Sequence, residues 1–154
     1  MKNFIITIIG FSFITAITIS LTSMDNPINE PVVSTSMQNA DFNLQESIKA
    51  GKAIYEGKGT CVTCHQKNGA GIPPTFPPLA NADYLLEDKH RAVKQTMYGA
   101  DEPITVNGVT YPGGIMTTVE LSNKEVRDVV NYILNSWGND GGVVTIEDVK
   151  AQRK

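Results

Sequence analysis

Thiol and imidazole are scarce in this chain: its 154 residues include two cysteines, Cys61 and Cys64, and two histidines, His65 and His90. Charge of one sign is scarce as well, with 13 Lys and Arg against 16 Asp and Glu for a formal net charge of -3. No run of Lys or Arg occurs, which argues against a nucleic-acid partner, because neutralising phosphates takes a concentrated basic patch. No internal repeat is visible, so a solenoid or propeller is excluded. No motif gathers a nucleophile with a base, and a non-enzymic role is the expectation. The chain is 41% apolar and 19% charged, which is not a disordered composition, and its length suits one small globular domain with extra sequence at an end.

The extra sequence is N-terminal. "MKNFIITIIGFSFITAITISLTS" sets a single lysine before a mostly apolar stretch from Phe4 to Leu21. Its length lies between the apolar core of a secretion signal and a membrane span, and its Thr and Ser residues weaken a strong anchor. Residues 1–23 are read as a signal peptide or an N-terminal membrane anchor, with a buried core helix as the bland alternative. A lipid anchor on cysteine is excluded by position. Either main reading puts the working part outside the cytoplasm, in the periplasm or on the outer face of the cytoplasmic membrane. Residues 24–40, "MDNPINEPVVSTSMQNA", have neither a helical nor a strand period and read as a flexible linker.

From 41 to 154 the pattern is that of a folded, mainly α-helical domain. "DFNLQESIKAGKAIYEG" puts Leu44, Ile48, Gly51 and Tyr55 on one helical stripe, with Asp41 or Asn43 as N-cap and Gly57 and Gly59 as stops. A turn in "NADYLLED" leads to a helix over about Lys89 to Tyr98, capped by Asp88 and stopped by Gly99, with Val93, Thr96 and Met97 inward. Asn107-Gly108 inside "ITVNGVTY" predicts a tight type I′ hairpin. "LSNKEVRDVVNYILNSWG" carries a capping box, Ser122 and Glu125, and an apolar stripe running from Val126 to Trp137, so the helix is expected to end at Gly138. Thr145 and Asp148 open a last short helix.

The cysteines stand in "GTCVTCHQKNGAGIPPTFPPLA". In CxxCH two thiols can add across the vinyl groups of a haem, while the adjacent imidazole ligates the iron from below. Cys61 and Cys64 are thus the candidate thioether anchors of one haem c, and His65 the proximal ligand. Three alternatives are weaker. A disulfide across two residues would close too small a loop to stabilise much. A thioredoxin-like pair wants a strand before and a helix after the first cysteine, whereas here a helix precedes and a loop follows. Zinc would have to use His90 as fourth ligand, at a spacing that matches no finger. Gly69 and Gly71 permit turns beside a flat apolar plate, prolines 73, 74, 77 and 78 stiffen the return, and a backbone carbonyl from that loop would hold the second nitrogen of the histidine.

For the other face of the iron the candidates are His90, Met97 and Met116, because Met1, Met24 and Met37 lie in the export segment or the linker. Met97 falls on the apolar face of its helix and reads as core. His90 sits among Asp88, Lys89 and Arg91 and reads as a solvated surface histidine. Met116, in the Gly-rich "YPGGIMTTVELS", is free to be aimed and is the preferred ligand. With His and Met on the two faces no position is left for a substrate, so the site moves single electrons. An open or labile sixth position would instead suit a haem-based sensor or a peroxidase-like enzyme.

On these residues the chain, over about 43 to 154, resembles the small mono-haem class I cytochromes c, with an N-terminal CxxCH and a C-terminal methionine. "CVTCH" fits the attachment motif, "GIPPTFPPLA" the Pro-rich loop and "VNGVTYPGGIM" the methionine-bearing segment. The resemblance implies a cytochrome c fold of about four to five short helices around one covalent haem, with a small β-hairpin before the methionine loop. It implies that Pro77, in Pro77-Pro78-Leu79, supplies the carbonyl for His65, and that the first and last long helices cross at Gly51 or Ala53 against Tyr132. The "NG, Tyr, Gly-Gly, Met" and "SWGN, GG, VT, EDV" arrangements are most similar to cytochrome c domains associated with copper nitrite reductases, respiratory oxidases and dehydrogenases. Such relatives commonly have Pro after the ligand methionine, where this chain has Thr117. The implied role is an electron carrier between redox-protein donor and acceptor in a respiratory or dissimilatory chain, as a monomer or as a subunit of a complex, and tethered to a membrane where the N-terminal segment is retained.

Overall fold

The structure, a computed structural model, describes residues 42–154. The expected export segment (1–23) and linker (24–40) lie outside the described residues, as does Asp41. Among the described residues no helix is long and apolar enough to cross a membrane.

Helix α1 (Leu44–Glu56) starts where the Asn43 side chain accepts from the backbone N–H groups of Gln45 and Glu46, and it stops at Gly57. The last long helix, α5 (Asn123–Leu134), opens with the expected capping box: Ser122 accepts from the Glu125 N–H, and the Glu125 carboxylate accepts from the Ser122 N–H. The two helices cross at Gly51. A Cβ there would lie 1.9 Å from the Asp128 carbonyl oxygen and 2.8 Å from Cβ of Tyr132, so only glycine lets the backbones meet. Ala53, the other residue considered for this crossing, is exposed.

The crossing also buries a polar cluster that an apolar stripe does not announce. Ser47 donates to Asp128 at 2.6 Å, and Asn131 donates to Ser47 at 3.1 Å and to the Val144 carbonyl at 3.0 Å. Lys124 and Arg127 close over Asp128, whose side chain is 1% exposed. Burial would raise this carboxyl's pKa, but hydrogen bonds from Lys124, Ser47 and Arg127 outweigh it and hold the group below its ordinary value.

The apolar core lies under this crossing, with Val93, Val126, Val129, Val130, Leu134, Val144 and Val149 fully buried. Between the long helices come α2 (Val62–His65), α3 (Asp83–Glu87) and α4 (Lys89–Tyr98), then strands β1 (Ile104–Val106) and β2 (Val109–Tyr111). The strands pair antiparallel with Val106 opposite Val109, and Asn107 and Gly108 both take positive φ, 50° and 79°, as the type I′ turn requires. Helix α6 (Ile146–Ala151) follows the Thr145/Asp148 capping box. The fold is the expected mainly helical one. Its helices number six among the described residues because α2 and α3, single turns too short to show a period, add to the four legible ones.

One boundary is corrected. Helix α5 ends at Leu134, not at Gly138. The Asn135 side chain donates to the carbonyls of Asn131 (2.8 Å) and Gly142 (2.9 Å), which folds the chain back, and Trp137 sits in a left-handed turn at φ 56°. Its ring still packs inward, 5.4 Å from Tyr55 and 5.3 Å from Tyr132 between centroids.

Candidate haem site

α2 is one helical turn, and it sets Cys61, Cys64 and His65 at i, i+3 and i+4, all lining the wall of one cleft. The turn is closed by the His65 N–H donating to the Cys61 carbonyl and breaks at once at Gln66, whose φ is 63°, where the expected loop begins. A strand before the motif and a long helix after it, which a thioredoxin-like pair needs, are both missing from the described residues around it. Both cysteines are free thiols and half-buried, and burial pushes the Cys61 thiol above its usual value.

His65 is 9% exposed. Its Nδ1 lies 2.9 Å from the Pro77 carbonyl oxygen, and since a carbonyl only accepts, the ring proton is on Nδ1 and the Nε2 lone pair is free. Burial holds the imidazole pKa below its ordinary value, against the opposing pull of the Pro77 carbonyl, and so favours the neutral, ligating form.

The Pro-rich loop is a built wall. Leu79 and Ala80 both donate backbone N–H groups to the Gly69 carbonyl, at 2.7 and 2.9 Å, and Gly71 donates to the His65 carbonyl at 3.0 Å. A Cβ at Gly71 would meet the Phe76 carbonyl oxygen at 2.4 Å, so the hairpin-like return closes only with glycine there. Two residues that the sequence reading did not single out for the site tie the loop to the helices. Asn139 donates to the carbonyls of Leu79 (2.9 Å) and Ile133 (2.8 Å) while accepting from the Asn81 N–H (2.7 Å). Tyr55, buried in α1, donates to the Gln66 carbonyl at 2.7 Å. Neither has a sequence signal of its own, because each acts on a carbonyl distant along the chain.

Met116 lies on the same cleft, 37% exposed. Its carbonyl accepts from the Ala100 N–H at 3.2 Å, the Gly114 N–H donates back to the Ala100 carbonyl at 2.7 Å, and the close approach at Gly99 leaves no room for a Cβ. The methionine segment is thus pinned to the end of α4. Met97 is 4% exposed in the core and does not line the cleft; His90 is on the surface, 3.1 Å from Asp148.

The cleft opens to solvent between the CxxCH turn, the Pro-rich loop and the methionine segment, and most of its lining is apolar. Not one residue lining it is Asp, Glu, Lys or Arg. Its polar corner is Tyr84 and Gln95, with Gln95 donating to the Tyr84 hydroxyl at 3.1 Å. The Arg91 guanidinium lies 3.7 Å over the Tyr84 ring, and its Nε is a buried donor without a partner. Paired thiols, a neutral imidazole with one nitrogen free, a thioether, an apolar lining and a donor-rich corner beside a cation together fit haem c, an apolar macrocycle bearing carboxylates.

These features define a c-type haem domain. A model of the cytochrome c family matches residues 48–137. Cytochrome c-552 of Thermus thermophilus is 36% identical over 112 residues, covering 67% of this chain and 83% of that protein. The cytochrome c subunit of a quinone alcohol dehydrogenase from Gluconacetobacter polyoxogenes is 36% identical over 98 residues, 60% of this chain and 20% of the subunit. The gluconate 2-dehydrogenase cytochrome c subunit of Pantoea cypripedii is 29% identical over 123 residues, 69% of this chain and 24% of the subunit. The chain therefore belongs to the cytochrome c family, which implies a covalently bound haem c and a part in electron transport.

Proposed function

We propose that this chain is a single-electron carrier whose haem c is held by thioethers from Cys61 and Cys64 and by axial ligands His65 and Met116. The observation that carries the reading is the His65 imidazole, buried on the cleft wall with Nδ1 committed to Pro77 and Nε2 free, on a cleft that Met116 also lines. When bound, the haem supplies a one-electron couple, and a thioether ligand favours its reduced form. The protein's own part is to fix and exclude. Pro77 locks the tautomer and orientation of His65. The uncharged lining keeps the site apolar, which favours the state of lower charge. Gly99 and Ala100 hold the Met116 segment so that little rearrangement accompanies a change of oxidation state.

Residues 1–23 act in this reading as export signal or anchor and 24–40 as a tether, with the 41–154 domain outside the cytoplasm. Donor and acceptor are redox proteins of a respiratory or dissimilatory chain; the dehydrogenase cytochrome subunits among the relatives support that setting. Potentiometric titration of protein matured in an exporting host tests the assignment. It should follow a single one-electron wave, and the reduced protein should leave carbon monoxide unbound. Ready binding of carbon monoxide would favour the sensor or peroxidase-like reading, with Met116 displaced.

A further inference from the structure

Helix α3 follows Ala82, an N-cap residue with no side-chain acceptor for the first N–H groups of the helix. Asn107 supplies one from 24 residues further along the chain: its Oδ1 accepts the Asp83 N–H at 3.0 Å. Asp83 returns the contact, its carboxylate accepting the Asn107 N–H at 2.7 Å as well as the Tyr84 N–H at 2.6 Å. That Asn107 N–H lies inside the two-residue turn and is not taken by the strand pairing.

The pair joins two walls of the cleft. Ala82, Tyr84 and Leu85 line it from α3, and Ile104, Val106 and Tyr111 line it from the hairpin. Strands of three residues are marginal by themselves, so the place of the hairpin depends on what it is fastened to. From Tyr111 the chain runs through Pro112, Gly113, Gly114 and Ile115 to Met116. The far end of this segment is bonded to Ala100, and its near end is the hairpin itself. Asp83 and Asn107 are both exposed, so the pair adds nothing to the apolar core and acts on placement.

We infer that Asp83 and Asn107 are positioning residues for the sixth ligand: by fastening the hairpin turn to α3 they hold the near end of the segment that carries Met116, and so keep its thioether from leaving the ferric iron. The inference rests on the His/Met reading above. Without the pair the segment is open for a larger fraction of the time, and a ligand that needs Met116 out of the way binds in proportion to that fraction.

Imidazole is the probe. On the ferric protein its nitrogen takes the place of the Met116 sulfur, so one bond to iron breaks, one forms and no electron moves. Asn107→Gly keeps the turn, because glycine accepts the positive φ of 50°, but removes the acceptor. Asp83→Ala removes the other half of the pair. Each should raise the apparent affinity for imidazole about fivefold, the factor that corresponds to the net contribution of one hydrogen bond. Asp83→Asn retains an oxygen acceptor and should bring the affinity back to within about twofold of the unmutated protein. Asp148→Asn, which weakens the protein at α6 instead, should leave the affinity alone. Amide hydrogen exchange reads the pair without the probe: the Asp83 N–H should exchange faster in Asn107→Gly.

Unchanged imidazole affinity in either Asn107→Gly or Asp83→Ala, with the far-red methionine-to-ferric-iron band present in the unmutated protein, would overturn the inference. An equal rise in Asp148→Asn would do the same, since it would make the effect one of stability alone. A band missing from the unmutated protein is a separate result, which strikes the His/Met reading and this inference with it.

Discussion

The α1/α5 crossing and the haem cleft are built on opposite terms. At the crossing, helix meets helix through a glycine, and the gap is closed by the protein's own side chains, including the buried cluster of Ser47, Asp128 and Asn131 under Arg127 and Lys124. At the cleft, short loops held by backbone hydrogen bonds form walls that carry no charged side chain. Asn139 and Tyr55 join the two regions, one fastening Leu79 to α5 and the other fastening Gln66 to α1.

The largest effect is expected from breaking the crossing. Gly51→Val sets a side chain where even Cβ would lie 1.9 Å from the Asp128 carbonyl oxygen, and it should destabilise the fold by about 3 kcal/mol or more in chemical denaturation. The Asn139 link comes next. Asn139→Leu strands the Leu79 and Ile133 carbonyls and the Asn81 N–H, and the expected loss is about 2 kcal/mol. A loss as large as that at Gly51 would mean that the cleft wall, not the crossing, dominates stability.

The smallest effect concerns pH and the α6 end of the crossing. Burial would raise the Asp148 carboxyl, but the Thr145 backbone N–H, His90 and Lys89 overcome it and hold the pKa at about 2. A carboxyl depressed in the folded state contributes stability above its unfolded value, about 3.9, and loses that contribution as pH falls toward 2. Asp148→Asn should therefore lower the stability of the protein at neutral pH while making its acid limb shallower, as read from denaturation midpoints between about pH 5 and 2. An unchanged acid limb would locate the acid sensitivity elsewhere, with Asp128 as the next group to test.

The difference between the regions also explains what was legible in the sequence. Capping boxes at Ser122 and Thr145, the Asp88 cap and the Asn107-Gly108 turn are local chemistry, and each element forms where its residues require. The CxxCH residues stand out by their spacing and Pro77 by the resemblance alone, while the resemblance left the crossing to Gly51 or Ala53 and the structure puts Gly51 there. Periodicity misled at the end of α5, since the stripe runs on to Trp137 while Asn135 turns the chain back by bonds to carbonyls that a local pattern does not contain. The buried polar groups were invisible for the same reason: Ser47 and Asp128 are 81 residues apart and become partners only once the helices cross.

The central claim is that His65 and Met116 close both faces of the iron. The most direct test is the visible spectrum in both oxidation states, carried into the far red, of the protein and of Met116→Ala. The account predicts a covalent c-type haem spectrum with the weak methionine-to-ferric-iron band, and loss of that band in the variant while the covalent haem stays. A band that survives Met116→Ala, or that is missing from the unmutated protein, would contradict it and return the sixth position to Met97, His90 or an open iron.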